Sequence, residues 1–167
     1  MLPLPLWPTF NPDHPQQFFV NAANLYNAWL AVGVPVPFAV AMVTQAEFES
    51  AFRPDVIGDN GTAHNLYQWH WVPRGETILS ETGIDVRTER AASRIVAAAW
   101  WELSHTETRA RDAILATTNA ADASRAACTL FEGAGAPAAA ERRAAGAERW
   151  SAFIGAHPDF IAAHKQP

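Results

Sequence analysis

The sequence predicts an all-α, helix-rich fold, and three observations support this class. The chain is 49% hydrophobic and 17% charged, which is typical of a folded protein rather than a disordered one. Alanine, the strongest helix former, is abundant after Glu89. Apolar residues recur at steps of three and four along most of the chain. At 167 residues, we expect one domain over residues 15–167, preceded by an extended proline-rich segment over residues 1–14.

Two long helices are predicted in the first third of the chain. Pro15 suits the first turn of a helix over about 15–31, and Pro37 suits the start of a second helix over about 37–51. Apolar residues in the first helix repeat as on a helix with one buried face. The second helix is apolar nearly all round, which is typical of a helix at the centre of a domain.

Two glutamates lie near the end of the second helix. At about 100° per residue, Glu49 falls on the same face as Met42 and Gln45, whereas Glu47 points more than a quarter-turn away. We therefore expect Glu49 to face the core or a cleft. Glu47 is expected to face water.

A turn-rich segment follows this helix. Arg53-Pro54 ends the helix, because the residue before a proline is disfavoured in the α region. Residues 58–61, Gly-Asp-Asn-Gly, suit tight turns and positive φ. They predict either a small β-hairpin or an irregular loop, and residues 66–69 begin either a strand or a helical turn.

Further helices are predicted after this segment, where apolar and alanine-rich stretches recur between glycine and proline breaks. Thr88 is the expected N-cap of the third long helix. In that helix Trp100 and Trp101 are adjacent and cannot share a face, so we expect one in the core and the other at the surface or in a groove, with a core role for both as the alternative. The predicted ranges are about 76–81, 89–104, 107–117, 119–132 and 137–154.

Composition disfavours several functional classes. The formal net charge of −5 argues against nucleic-acid binding, which usually needs a basic surface. No apolar run approaches the roughly 18–20 residues of a membrane span. Prolines interrupt the apolar N-terminal residues, so we expect no signal peptide. The single cysteine, Cys128, excludes an intrachain disulfide and is expected to be a small buried hydrophobe.

No cofactor and no metal are predicted. The six histidines include no H-x-x-x-H pair, and a metal site built from His64, His70 and Asp59 stays an alternative. The sequence also lacks a nucleophile elbow, a phosphate loop and a dinucleotide fingerprint.

Glu49 has the surroundings of a catalytic acid. Glycoside cleavage needs a proton donor at the leaving oxygen, and a glutamate can donate near neutral pH where apolar burial disfavours its carboxylate. The apolar helix around Glu49 offers such surroundings. The alternative is a helix-terminal glutamate that makes a structural hydrogen bond.

Three ordered segments resemble those of soluble lytic transglycosylases and phage tail lysozymes, within the lysozyme-like superfamily. They are Glu49-Ser50-Ala51-Phe52-Arg53-Pro54, Gly58-Asp59-Asn60-Gly61-Thr62-Ala63 and Leu66-Tyr67-Gln68-Trp69-His70. Two later segments also resemble the phage members, so that the resemblance covers roughly residues 36–150. These are Trp101-Glu102-Leu103 and Phe131-Glu132, the latter followed by Pro137 and Arg142-Arg143.

The resemblance implies a lysozyme-like helical fold and a muramidase, either a lytic transglycosylase or a lysozyme. In such an enzyme Glu49 would protonate the glycosidic oxygen between N-acetylmuramic acid and N-acetylglucosamine. Asp59 is the candidate second carboxylate, with a turn-forming role as its alternative. Glu132 is either a third acid or the ion-pair partner of Arg142 or Arg143.

The same segments supply the expected glycan contacts. An aromatic face packs on a pyranose ring, and an amide bonds to an N-acetyl group. Ser50 is expected to hydrogen-bond near Glu49 and to steady it. The candidate substrate-binding residues are Ser50, His64, Tyr67, Gln68 and Trp69, with Trp101 as a further candidate.

The chain departs from the family pattern at two places. His64-Asn65 stands where the family commonly has an aromatic residue and a glycine. Asparagine is the next best residue for a left-handed conformation, so the backbone can be kept. Gly133 stands where the family usually has arginine after Phe-Glu, so any charged role of that position is missing.

The expected partner is the glycan strand of peptidoglycan, with virion tail proteins as further candidates and no nucleic-acid or membrane partner. The expected lack of a signal peptide fits a virion-associated protein, or one made in the cytoplasm that acts on the cell wall after delivery or lysis. The alternative function is a catalytically silent glycan-binding tail module. A chitinase-like glycosidase is a third hypothesis.

Overall fold

The computed structural model describes residues 15–133 and 135–165, and the extended segment predicted for residues 1–14 lies outside them. The described part forms eight helices and a small sheet, which confirms the helix-rich fold class. The helices are α1 Pro15–Ala31, α2 Val36–Ser50, α3 Glu76–Thr82, α4 Ala92–His105, α5 Thr108–Leu115, α6 Ala120–Leu130, α7 Pro137–Ala156 and α8 Pro158–Ala163.

Helix α2 is the centre of the core, as its all-round apolar sequence predicts. Every residue from Phe38 to Glu47 is buried, and the helix packs against α1, α6 and α7. Large side chains from other elements close around it, among them the fully buried Trp29 and Trp150. Burial of each such side chain stabilises the fold by roughly 1.5–3 kcal/mol.

Two residues in the left-handed region end α2. Ala51 has φ 50° and Phe52 has φ 59°, a conformation that costs a non-glycine residue roughly 1–2 kcal/mol. The Ala51 N–H donates to the Glu47 carbonyl at 2.9 Å. The Phe52 ring is fully buried, 4.9 Å from the Phe18 ring and 5.4 Å from the Trp150 ring. This packing offsets the strain and holds the last turn of α2, which carries Glu49.

The turn-rich segment after α2 forms a three-stranded antiparallel sheet, so the hairpin alternative holds. The strands are β1 Ile57–Gly58, β2 Ala63–His64 and β3 Trp69–His70, in the order β1-β2-β3. A single helical turn over Asp59–Gly61 joins β1 to β2. The amide oxygen of Gln68 occupies the place of a Cβ at Gly58, so a larger residue there would have to displace the Gln68 side chain.

Asn65 keeps the left-handed backbone expected of it, with φ 70°. Its side-chain amide donates to the carbonyls of Val86 at 2.7 Å and Glu89 at 2.8 Å, and its Oδ1 accepts from the Leu66 N–H at 2.8 Å. Asparagine therefore replaces the glycine of the family pattern and also connects the loop before β3 to the segment before α4.

Some helix ends differ from the predicted ones. Helix α4 begins at Ala92 rather than near 89, because the N–H groups of Thr88 and Glu89 both bond to the Asp85 carbonyl and form a turn. Thr88 is therefore not an N-cap. Asn119 does cap α6, accepting from the Asp122 N–H at 2.9 Å. Helix α8 was not predicted.

Two expectations from composition concern the described helices. Cys128 on α6 is fully buried, as predicted. Among the described helices, none has the length and apolarity needed to cross a membrane.

Candidate active site

Glu49 and Gln45 share one face of α2, as helical phase predicts, and both bind Arg143 of α7. Arg143 Nη2 donates to Glu49 Oε1, and Arg143 Nη1 donates to Gln45 Oε1. The Glu49 side chain is 21% exposed, and that of Arg143 is 11% exposed. No residue of the described ranges donates a hydrogen bond to the second Glu49 oxygen, Oε2. Glu49 is thus held at one oxygen and open at the other.

Gln45 fixes the arginine in place. Its side chain is fully buried, and its amide nitrogen donates to Ser124 of α6, to the carbonyl at 3.2 Å and to Oγ at 3.0 Å. Three helices therefore meet at this one amide. Because a buried amide with several partners has a single orientation, it places the Arg143 guanidinium accurately beside Glu49.

The expectation that Glu47 faces water is wrong. Its side chain is fully buried, and its Oε2 accepts a hydrogen bond from Trp150 Nε1 at 2.8 Å. Arg149 Nη2 lies 3.7 Å from its Oε1. Helix α7 covers the face of α2 that helical phase assigns to solvent. Helical phase cannot identify an exposed face on a helix that is covered on all sides.

Glu132 follows the end of α6 and forms no ion pair with Arg142 or Arg143 within the described chain, so the predicted pairing is wrong. The residue is partly exposed, but its Oε1 is sealed from solvent and has no hydrogen-bond partner among the described residues. Burial, together with the negative charge of Glu49, raises the pKa of Glu132 to about 8. The group is therefore a neutral acid at pH 7.

A second glutamate–arginine pair lies nearby, between Glu102 of α4 and Arg74. Arg74 donates through Nε to Glu102 Oε1 at 2.7 Å and through Nη2 to Oε2 at 2.9 Å. Trp69 Nε1 also donates to Oε2, at 2.8 Å. The Arg74 guanidinium lies 5.2 Å from the centre of the Phe131 ring. Both oxygens of Glu102 are thus occupied.

A cavity of about 220 Å³ adjoins this pair and is lined by Trp101, Arg74 and Glu102. Trp101 stacks on His105 with ring centres 4.9 Å apart. The neighbouring Trp100 packs against the core, 6.0 Å from Phe38. Both tryptophans are half-buried and pack against the core, so they differ only in that Trp101 also lines this cavity.

Tyr67 and Trp69 lie in the core, which corrects their expected role as glycan contacts. Both side chains are fully buried, and their rings are 5.3 Å apart. The Tyr67 hydroxyl accepts from Trp29 Nε1 at 2.8 Å and donates to the Met42 carbonyl at 3.3 Å, and burial raises its pKa. Neither ring has a free face for a sugar, because the long apolar helices pack over both.

Ser50 and Gln68 bind backbone carbonyls of the loop. The Ser50 hydroxyl lies 2.9 Å from the Ala46 carbonyl and 3.1 Å from the Leu66 carbonyl, so it steadies the last turn of α2. The Gln68 amide donates to the Asn65 carbonyl at 2.9 Å. Ser50 is buried and Gln68 is half-buried.

Asp59 and the two histidines of the segment lie on the sheet. Asp59 Oδ2 is 3.2 Å from His70 Nε2, with side chains 69% and 51% exposed. His70 Nδ1 is 3.3 Å from the Thr62 hydroxyl, and half-buried His64 pairs with Trp69 across the strands. Within residues 15–133 and 135–165, no group of three His, Cys, Asp or Glu side chains could hold a metal.

Sequence reasoning missed the partner of Glu49. Arg143 stands 94 positions later in the chain, and the sequence connects it only with Glu132. Likewise, the bond between Glu102 and Arg74 has no local pattern behind it. The two pairs arise because α4 and α7 pack beside the turn-rich segment and α2.

A helix-rich protein with a glutamate in the last turn of a buried central helix and a small sheet directly after it has the architecture of the lysozyme-like class. The model of the phage tail lysozyme family matches residues 20–154, a range that includes Glu49, Glu132 and Arg143. The chain therefore belongs to the phage tail lysozyme family. No curated protein and no solved structure matches the chain.

Proposed function

We propose that this protein cleaves the glycan strands of peptidoglycan between N-acetylmuramic acid and N-acetylglucosamine, with Glu49 as general acid and then base. One observation carries the proposal: Glu49 ends a rigid buried helix, with one carboxyl oxygen held by Arg143 and with no donor to the other among the described residues. A free oxygen on a fixed carboxyl group is what proton transfer to a substrate requires.

The reaction follows from these groups. Protonated Glu49 gives its proton to the glycosidic oxygen, and the bond between that oxygen and C1 of the muramic acid breaks. The resulting Glu49 carboxylate, stabilised by Arg143, then takes a proton from the nucleophile, whose oxygen forms the new bond to C1. That nucleophile is water in a lysozyme or the 6-hydroxyl of the muramic acid in a lytic transglycosylase. Asp59, on the exposed sheet, is the proposed second carboxylate of the lysozyme route.

The proposed glycan-binding surface is the sheet and the loop that follow α2. Because Tyr67 and Trp69 are buried, we propose that the more accessible side chains of this segment contact the glycan. His64 and Gln68 are half-buried, whereas Asp59 and His70 are exposed. These polar groups can bond to sugar hydroxyl and N-acetyl groups.

Glu49→Gln tests the proposal. The amide can keep its oxygen toward Arg143 and leave its NH2 at the free position, so the fold should be retained. We expect clearing of purified cell walls to fall by about 10²–10⁴-fold, the usual contribution of general acid–base catalysis. Glu148→Gln, an exposed site on α7, is the matched control and should clear walls like the wild type. Retained clearing by folded Glu49→Gln would contradict the proposal.

Mass spectrometry of the released muropeptides separates the two reaction routes. Anhydro ends, lighter than reducing ends by one water, would identify a lytic transglycosylase and assign Asp59 to structure. Reducing ends would identify a lysozyme and leave Asp59 as the candidate second carboxylate, which Asp59→Asn then tests.

Glycan binding without cleavage is the second candidate function. The observation that favours it is that Glu49 is already occupied at one oxygen by Arg143. Wild-type protein that sediments with insoluble peptidoglycan but releases no muropeptides would support this function. In either case we propose that the protein is carried on a virion tail or acts on the cell wall after lysis.

A further inference from the structure

We infer that Glu132 is a positioning residue of the Glu49 site, which holds a proton beside the Glu49–Arg143 pair and sets the upper pH limit of cleavage. This inference rests on the proposed function of Glu49. It starts from the sealed and unpartnered carboxyl oxygen of Glu132.

The backbone and its neighbours fix the position of Glu132. Its N–H donates to the Ala127 carbonyl at 3.1 Å, so the residue continues the last turn of α6. The preceding Phe131 ring lies 5.9 Å from the Tyr67 ring and 5.2 Å from the Arg74 guanidinium. These contacts place Glu132 at the end of α6 beside Arg74, and its carboxyl group interacts electrostatically with Glu49 and Arg143 as well as with Arg74 and Glu102.

The charges around Glu132 explain why it keeps its proton. An ionised carboxylate with a buried, unpaired oxygen is costly, so the neutral form is favoured. Both nearby arginines are already engaged: Arg143 binds Glu49 and Gln45, and Arg74 binds Glu102 through two hydrogen bonds. The surrounding ionisable groups are Glu49 of α2, Tyr67, Arg74, Glu102 of α4, Cys128 of α6, and Arg142 and Arg143 of α7.

Loss of this proton would change the site. Once ionised, Glu132 adds a negative charge that competes with Glu49 for Arg143 and opposes the Glu49 carboxylate formed during cleavage. With a pKa of about 8, the neutral fraction of Glu132 falls about tenfold between pH 7 and about pH 9. Activity that depends on neutral Glu132 should fall in parallel.

The test is the pH dependence of wall clearing by the wild type, Glu132→Gln and the control Glu148→Gln. The amide imitates the neutral acid, so Glu132→Gln should clear walls within about threefold of the wild type at pH 7. Wall clearing by Glu132→Gln should not fall tenfold toward pH 9, whereas wall clearing by Glu148→Gln should fall tenfold like that of the wild type. A fall of the same size and midpoint in Glu132→Gln would overturn the inference. A merely structural role would not move this midpoint.

Carbon-13 NMR of the glutamate carboxyl groups gives a readout besides activity. We expect one carboxyl signal with a midpoint near 8, absent in Glu132→Gln and shifted to lower pH in Glu49→Gln, which removes a like charge. Titration of all carboxyl groups below about pH 6 would contradict the inference. If Glu49→Gln still clears walls while this signal is present, the proposed function fails and the charge coupling stands.

Discussion

The two glutamate–arginine pairs differ in how completely the carboxylate is occupied. The Glu102 side chain is 3% exposed, and its two oxygens accept three hydrogen bonds, from Arg74 and Trp69. The Glu49 side chain is 21% exposed and is bound through one oxygen by Arg143. The arginines are alike, since each also lies over a phenylalanine ring. A fully occupied pair holds elements together, whereas a partly open one leaves an oxygen for a substrate.

The largest expected effect is a difference between the two pairs in how much each stabilises the folded protein. Both carboxyl oxygens of Glu102 accept hydrogen bonds, so in Glu102→Gln the amide NH2 must face a donor. Arg74 also loses its buried counter-charge. We expect a loss of about 3–5 kcal/mol in the free energy of unfolding. Glu49→Gln should cost less, about 1–3 kcal/mol, because its NH2 can take the open position although the buried Arg143 also loses its counter-charge. Urea denaturation of both variants measures the difference.

Equal losses in these two variants would contradict the comparison. Glu148→Gln serves again as the control, because it makes the same chemical change at an exposed site of α7. Its unfolding midpoint should lie close to that of the wild type.

The next effect is the pH dependence of stability that arises from Glu132, which interacts electrostatically with both pairs. Its pKa is raised in the folded state from 4.5 to about 8, so the folded protein binds more protons than the unfolded chain between these values. The contribution of Glu132 is therefore complete below about pH 4.5 and is lost as pH rises toward about 8. A shift of this size corresponds to at most about 5 kcal/mol, and because Glu132 is partly exposed we expect a loss on the order of 2–3 kcal/mol.

Thermal unfolding from pH 4 to pH 9 tests this linkage. Because its glutamine has no proton to lose, Glu132→Gln should lack this part of the fall in stability. The variant should therefore become more stable relative to the wild type as pH rises. Parallel stability curves for the two proteins would show that Glu132 does not carry the linked proton.

The smallest effect is expected at a third charged contact, the exposed one between Asp59 and His70. Asp59→Asn should change the free energy of unfolding by less than about 1 kcal/mol, because exposed pairs are well solvated. Denaturant unfolding checks this value. In the same variant, a loss of clearing of about a hundredfold or more would assign Asp59 to catalysis, whereas near-normal clearing would leave Glu49 and Glu132 as the functional carboxyl groups.

Most of the helices could be predicted from the sequence, because their determinants are local. The predicted range 15–31 matches α1, and the predicted starts at Asn119 and Pro137 match the cap of α6 and the first residue of α7. The left-handed backbone of Asn65 follows from the family resemblance together with the tolerance of asparagine for that conformation. Thr88 shows the limit of such reasoning, since a turn closed by the Asp85 carbonyl replaces the expected cap.

Sequence by itself determined the helix-rich fold, the family and the position of Glu49 on the Gln45 face of α2. Only the tertiary structure decided which groups surround that glutamate. Glu47 is buried because Trp150, 103 positions away, reaches it, and Tyr67 and Trp69 turn inward to complete the core. Arg143 and Glu132 join the site through the packing of α6 and α7 on α2. Local periodicity carries no information on these contacts, because a helix buried on all sides gives each face the same apolar pattern.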